Sequence, residues 1–178
     1  MKKIIIGCCL FCFIVAQVSA QIPTFVKGDN VVSAGIGFGG VLYSGYDFAW
    51  NTVTRTPAFT ASFEHCILDN IWDENSSIGI GGQIGYSYIK WNNSDLRIHN
   101  TSIAARGSLH YTFVDKLDVY AGLMLGIKFV SHNTDVKYVN QFAHDFYAGA
   151  RYYFANNIAG FAEVGYWTLF NMGIALKF

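Results

Sequence analysis

The feature that most restricts this 178-residue chain is an apolar–polar alternation of period two that recurs along most of its length. From Ile78, IGIGGQIGYSY sets Ile78, Ile80, Ile84, Tyr86 and Tyr88 on one face, with Gly79, Gly81, Gln83, Gly85 and Ser87 on the other. The run from Thr101 divides Ile103, Ala105, Leu109, Tyr111 and Phe113 from Ser102, Ala104, Arg106, Ser108, His110 and Thr112. LDVYAGLMLGIKF from Leu117 and FAHDFYAGARYYF from Phe142 repeat the pattern. Successive side chains of a strand point to opposite faces, so each run predicts a strand with one apolar face and one small or polar face. Eight such segments are present, at about 30–42, 57–66, 76–90, 99–113, 117–130, 141–154, 157–167 and 169–178. Their length suits a tilted membrane strand, which needs roughly 9–11 residues.

What surrounds the strands says where they belong. MKKIIIGCCLFCFIVAQVSAQ has two lysines, an apolar run and Val18-Ser19-Ala20, the layout of an export signal cleaved after Ala20. The lipobox-like residues 5–8 would leave too short an apolar core. The expected division is a signal peptide over 1–20 and one domain over 21–178. Three of the four cysteines leave with the signal, so Cys66 has no intrachain partner. Removing Lys2 and Lys3 leaves 10 basic against 12 acidic residues, a net charge of about −2, which excludes a phosphate-binding surface of the nucleic-acid kind. Only 13% of residues are charged and 17% are aromatic, where a soluble domain is roughly a quarter charged. No later stretch is apolar for the 18 residues of a spanning helix. An exported chain with too little charge for water and no spanning helix points to an eight-stranded antiparallel transmembrane β-barrel of the outer-membrane type, closed so that no backbone group faces lipid unpaired.

Long connections (43–56, 91–98 and 131–140) alternate mostly with short ones (114–116 and 155–156), as in outer-membrane barrels. The stretch 66–75 is long for a turn on the short side, and 167–169 is short for an external loop. A soluble lipocalin-type barrel is the structural rival, but it needs a charged exterior. Here the polar face is mostly Gly, Ser and Ala. Aromatics gather near the ends of the apolar face: Phe38, Tyr86, Tyr88, Phe142 and Phe146 at one end, Tyr111, Phe113, Tyr152 and Phe154 at the other. Two girdles around a band of smaller residues are the interfacial pattern of membrane barrels.

SAGIGFGGVL contains a formal dinucleotide fingerprint at Gly35, Gly37 and Gly40. That motif needs a turn and a helix after its strand. The alternation instead runs through the glycines and no helical period follows, so they read as the crowded inner wall of a narrow barrel. Inward charges are expected at Glu64, Asp118, Asp145 and Glu163 and at Arg106, Lys128, Arg151 and Lys177, four of each sign. Buried charges must pair. The expectation is that Glu64 and Glu163 bridge to Arg106, Lys128 and Arg151 and plug the lumen, either statically or with partner swaps that open a narrow ion path.

Chemistry is sparse. Ser108 and His110 share a face, yet at a strand spacing near 7 Å they are not expected to bond. His65 and His144 are expected to face lipid, and His132 to sit in a loop without an orienting partner. No catalytic triad, cofactor or metal site is expected, and hence no enzymatic activity. The loops carry Tyr43, Tyr46, Phe48, Trp50 and Trp91, aromatic contacts suited to a glycan or protein ligand, or an extension of the girdle into headgroups.

The signal, the eight alternating segments and the terminal GIALKF resemble the small outer-membrane barrels of the OmpA/OmpX kind, over nearly all of the mature chain. The resemblance implies an outer-membrane location in a Gram-negative bacterium, with outer-membrane lipid as surroundings. It also implies that a C-terminal signal, Tyr166, Phe170, Ile174 and Phe178, is read by the barrel-insertion machinery. That family has anchors, adhesins, narrow pores and receptors and no shared catalytic residues, so fold alone does not select a function.

Overall fold

The computed structural model describes residues 23–40, 53–92, 95, 97–133 and 139–178. Nine strands lie among them: β1 (Asn30–Phe38), β2 (Val53–Arg55), β3 (Ala58–Asp69), β4 (Ser76–Trp91), β5 (Arg97–Val114), β6 (Leu117–His132), β7 (Val139–Tyr153), β8 (Ile158–Val164) and β9 (Phe170–Lys177). Among the described residues no helix is long and apolar enough to cross a membrane. Every neighbouring pair in the wall is antiparallel, in the order β1-β3-β4-β5-β6-β7-β8-β9, and β9 returns to β1 with Ala34 opposite Ile174. Closure leaves no sheet edge around the girth, which is the condition for strands in hydrocarbon. The short β2, unforeseen in a segment read as loop, extends the sheet over the end of β4, with Arg55 opposite Ile89.

Alternation sorts the faces as expected. Ile84, Ile103, Leu123, Leu125, Phe142, Phe146 and Ile174 point outward and are exposed, whereas Gln83, Ser102, Arg106, Ser108, Tyr120 and Arg151 point inward and are buried. Of the girdle aromatics, Phe38, Tyr86, Phe142 and Phe146 at one end and Phe113, Tyr152 and Phe154 at the other are exposed on the wall.

Several boundaries differ from expectation. β1 stops at Phe38 because Gly39 and Gly40 take φ of 69° and 80°, a left-handed turn that only glycine adopts cheaply. Gly40 is therefore not part of the outward face. The long 66–75 connection is absorbed by strand: β3 runs to Asp69 with a bulge between Cys66 and Leu68, and Ser76 Oγ accepts from the Trp72 and Asp73 amides to close the turn. β8 ends at Val164, not near 167. In the connection that follows, Trp167 and Thr168 turn inward and are buried while Tyr166 and Leu169 are exposed, so the hairpin spends its residues partly on the lumen.

Candidate functional site

The inner wall of the barrel is the only place where charges, hydroxyls and aromatic rings converge among the described residues. Space for them comes from glycine. A Cβ at Gly35 would lie 2.8 Å from Phe161 Cζ, one at Gly122 2.7 Å from the Tyr147 ring, and one at Gly149 2.8 Å from Tyr120. A Cβ at Gly37 would meet Thr168 at 2.6 Å. The first two fingerprint glycines thus make room for inward side chains, Phe161 on β8 and Thr168 in the β8–β9 connection, as the inner-wall reading required.

Two charged clusters fill the middle. In the first, Arg106 on β5 donates from Nη2 to Glu163 on β8 (2.7 Å), from Nη1 to Gln83 on β4 (2.8 Å) and from Nε to the Tyr147 hydroxyl on β7 (3.1 Å). The Tyr120 hydroxyl also donates to Glu163 (2.8 Å), and Asn171 donates at 3.4 Å. In the second, Glu64 on β3 accepts from Arg151 on β7 and from Ser108 on β5, while Arg151 also reaches Asp118 at 3.4 Å. Tyr120 joins the two clusters: its ring stacks 5.1 Å from His110 and lies 4.5 Å beneath the Arg151 guanidinium. All of these charges are buried. Burial is tolerable only because each is paired and hydrogen-bonded, since a lone one costs several kcal/mol.

The eight expected lumen charges divide. Glu64, Arg106, Asp118, Arg151 and Glu163 form the clusters above. Lys128 is buried on β6, further toward the loop end. Asp145 is buried but accepts from the Tyr166 (2.6 Å) and Trp167 (2.9 Å) amides, so it anchors the inward segment. Lys177 lies at the tight-turn mouth, half-buried, 3.4 Å from Asp29, and is not part of the lumen network. β9 simply ends there, so its side chain meets the mouth.

Ser108 and His110 do bond, contrary to the spacing argument: Oγ and Nε2 are 3.0 Å apart. The imidazole leans along the strand and closes the distance. Its Nδ1 faces Asp118 at 2.9 Å, which completes a serine–histidine–aspartate line that sequence spacing did not show. The register Thr112–Asp118 and His110–Tyr120 places the aspartate one step diagonally across the β5–β6 turn, and that pairing was the available signal. The line differs from a nucleophilic triad in one respect: Glu64 also contacts both the serine and Nε2 (3.2 Å from the latter). With carboxylates on both sides, His110 acts as a bridge between two anions.

At both ends of the lumen further groups pack inward, most of which sequence reasoning did not single out. At the tight-turn end, residues 24–29 fold across the mouth. Thr24 N donates to Thr112 Oγ1 (3.1 Å), the two hydroxyls meet at 2.9 Å, and Lys177 Nζ donates to the Thr24 carbonyl (2.9 Å). Phe25 is buried with its ring 4.4 Å from the His110 imidazole. Gly28 N to Cys66 O and Cys66 N to Asp29 O hold this strap to β3. Toward the loop end, Trp167 is 1% exposed and packs with Ala104, Tyr120, Met124, Ala143 and Tyr147. Above it Ile89, Ile98 and Val130 close together, with Trp91 against them. A void near Asp145, Tyr147 and Glu163 measures about 10 Å³, room for no more than one water.

The remaining expectations fall as follows. Trp91 ends β4 and packs inward instead of standing in a loop. Tyr43, Tyr46, Phe48 and Trp50 lie outside the described residues, as does the segment read as a signal. Phe170 and Ile174 face outward on β9, with Tyr166 just before the strand and Phe178 just beyond it, and all four are exposed. His144 is exposed on the outer wall, and His65 is half-buried, bonded through Nδ1 to Asn30 (2.9 Å). His132 ends β6 and is not in a loop.

No protein-family model and no curated protein sequence matches the chain. Solved structures do. The attachment invasion locus protein Ail of Yersinia pestis, crystallised with the heparin analogue sucrose octasulfate, superposes with a TM-score of 0.58 at 10% identity, over 86% of this chain and 100% of that one. A second crystal structure of Ail gives 0.53 at 12% identity over 86% and 100%. The outer membrane protein OprG of Pseudomonas aeruginosa gives 0.48 at 9% identity over 88% and 99%. At such identities the likeness to the two Ail structures speaks for the fold alone. The chain is a closed eight-stranded antiparallel β-barrel with the fold of small outer-membrane barrels.

Proposed function

We propose that this protein is an integral outer-membrane barrel of a Gram-negative bacterium whose lumen is sealed, so that it serves as a rigid membrane scaffold presenting its long loops outward. The tight-turn end with the 24–29 strap faces the periplasm, and the loop end faces outside. The observation that supports the reading is the succession of buried groups along the lumen, from Phe25 through the Glu64–Arg151 and Arg106–Glu163 pairs to Trp167 and the Ile89–Ile98–Val130 cluster. A conducting path would need several of these groups to move together. The Ser108–His110–Asp118 line belongs to the same seal. Glu64 occupies the serine, Phe25 covers the imidazole, and no acyl group can reach Ser108, which is 4% exposed.

The test is conductance of refolded residues 21–178 in planar bilayers, with folding verified by heat-shifted electrophoretic mobility. Silence from the folded wild-type barrel, with steps appearing in Arg106→Glu, supports a charge-locked plug. Steady ohmic steps from the wild type would replace it with a constitutive pore.

A second reading, surface binding of a glycan through the loops, is favoured by one observation. Ail, of the same fold, was crystallised with a heparin analogue. Binding of labelled heparin oligosaccharides to cells carrying the protein, lost on substitution of Trp50, would support it.

A further inference from the structure

The outer wall carries one row of side chains that the seal does not explain. In the β4–β5 pairing Lys90 stands directly opposite Arg97, both exposed and both on the outward face. Like charges facing each other across an antiparallel pair repel, and natural sheets avoid the arrangement unless an anion relieves it. No acidic side chain among the described residues bridges the two. Thr54 flanks Lys90 across the β2–β4 pairing. On the other side Asn133 accepts from Arg97 N through Oδ1 (2.9 Å) and donates its own amide to the Arg97 carbonyl (3.3 Å). The row is therefore polar, built into sheet, and fixed at its backbone.

The rows beneath it give its depth. One row down, Tyr88 stands opposite His99 with ring centroids 5.0 Å apart, and the Tyr86 hydroxyl bonds His99 Nδ1 at 2.8 Å. These belong to the upper aromatic girdle. The lower girdle on the same strand pair is at Tyr111 and Phe113, so the midplane falls near Gly81 and Arg106, which pair with each other. Lys90 lies nine residues above Gly81. At ~3.3 Å per residue and a tilt of ~40°, that is about 23 Å from the midplane. A bilayer with its headgroups extends roughly 20–22 Å from its centre. The two cations thus stand on the outward face of the wall at the outer edge of the headgroup layer, where long Lys and Arg side chains reach headgroup phosphates.

We propose that Lys90 and Arg97 form a binding site for the phosphate of an outer-leaflet lipid headgroup, with His99, Tyr86 and Tyr88 beneath it at the sugar–acyl boundary. Arg97 supplies the forked donor suited to phosphate, and Lys90 supplies a point charge. The place of the row on the outward face of the wall, directly above the aromatic girdle, favours a membrane lipid over a soluble sulfated glycan of the same charge. The site is independent of whether the lumen conducts.

The experiment uses residues 21–178 refolded into phosphatidylcholine vesicles with or without added bisphosphoryl lipid A. Binding is read as quenching by a labelled lipid A, and Tm is followed in parallel. The wild type is expected to bind and to gain thermal stability with lipid A. Each of Lys90→Gln and Arg97→Gln should weaken binding about fivefold, the share of one cation near an anionic surface. In pure phosphatidylcholine Arg97→Gln should be no less stable than wild type, because the opposed charges have been relieved; this also shows that the variant folds. Equal lipid A binding by the folded double variant overturns the site. So does stabilisation by soluble sucrose octasulfate without any by lipid A, which would assign the row to a free anionic glycan.

Discussion

Replacing Arg106 by methionine keeps most of the side-chain volume and removes its charge. The structure sets the consequence. The Glu163 carboxylate, buried on β8, loses its 2.7 Å cation and keeps only the Tyr120 hydroxyl at 2.8 Å and the Asn171 amide at 3.4 Å. Gln83 and Tyr147 each lose a donor as well. Removing one partner of a buried pair costs about 3–5 kcal/mol, chiefly because the other charge is left uncompensated. About 4 kcal/mol is expected here. Arg106→Met with Glu163→Gln removes both charges while the amide still accepts from Tyr120, so the double variant should lose at most about 1–2 kcal/mol, since replacing both partners of a buried pair is often neutral or better. The coupling is then at least about 2 kcal/mol, with the double variant more stable than Arg106→Met alone. Urea unfolding in phospholipid vesicles, followed by tryptophan fluorescence, measures it. With a slope near 2 kcal/mol/M, the single variant's midpoint falls by about 2 M. A loss below about 1 kcal/mol in the single variant, or a double variant that loses the sum of the two singles, would refute the idea that these charges depend on each other for their burial.

Other outcomes follow from the same packing. Phe25→Ala empties the tight-turn mouth and should cost about 2–4 kcal/mol by the cavity it leaves, read in the same urea titration. Cys66 is buried in the cluster with Phe25, so a maleimide should label it only on unfolding in the wild type and measurably faster in Phe25→Ala. Gly126→Ala sets a methyl 2.6 Å from Trp167 Cη2; overpacking should cost about 1–3 kcal/mol and shift the tryptophan emission to the red as the ring leaves the lumen. Asp145→Ala leaves the Tyr166 and Trp167 amides without their acceptor, and hydrogen exchange at those two amides should rise well above that of the β9 ladder.

The sequence by itself determined the barrel. A side-chain period of two cannot serve a helix, and its repetition over eight segments of nearly equal length admits one closed arrangement in lipid. It also determined which residues face inward, because facing is a matter of parity: Glu64, Arg106, Asp118, Arg151 and Glu163 are buried as alternation required. Parity gives no height along the barrel and no neighbour across it. Register, bulges and turns decided those. The bulge after Cys66 and the shortness of β8 set which strands sit level, and so made Arg106 meet Glu163 and Arg151 meet Glu64 instead of other combinations of equal charge. The Ser108–His110 contact was misjudged for a related reason: strand spacing fixes Cα positions, while the reach of an imidazole depends on which rotamer its neighbours hold. The strap at Thr24–Phe25 and the inward tryptophan at 167 lie where alternation stops, and there only tertiary packing says where the chain goes.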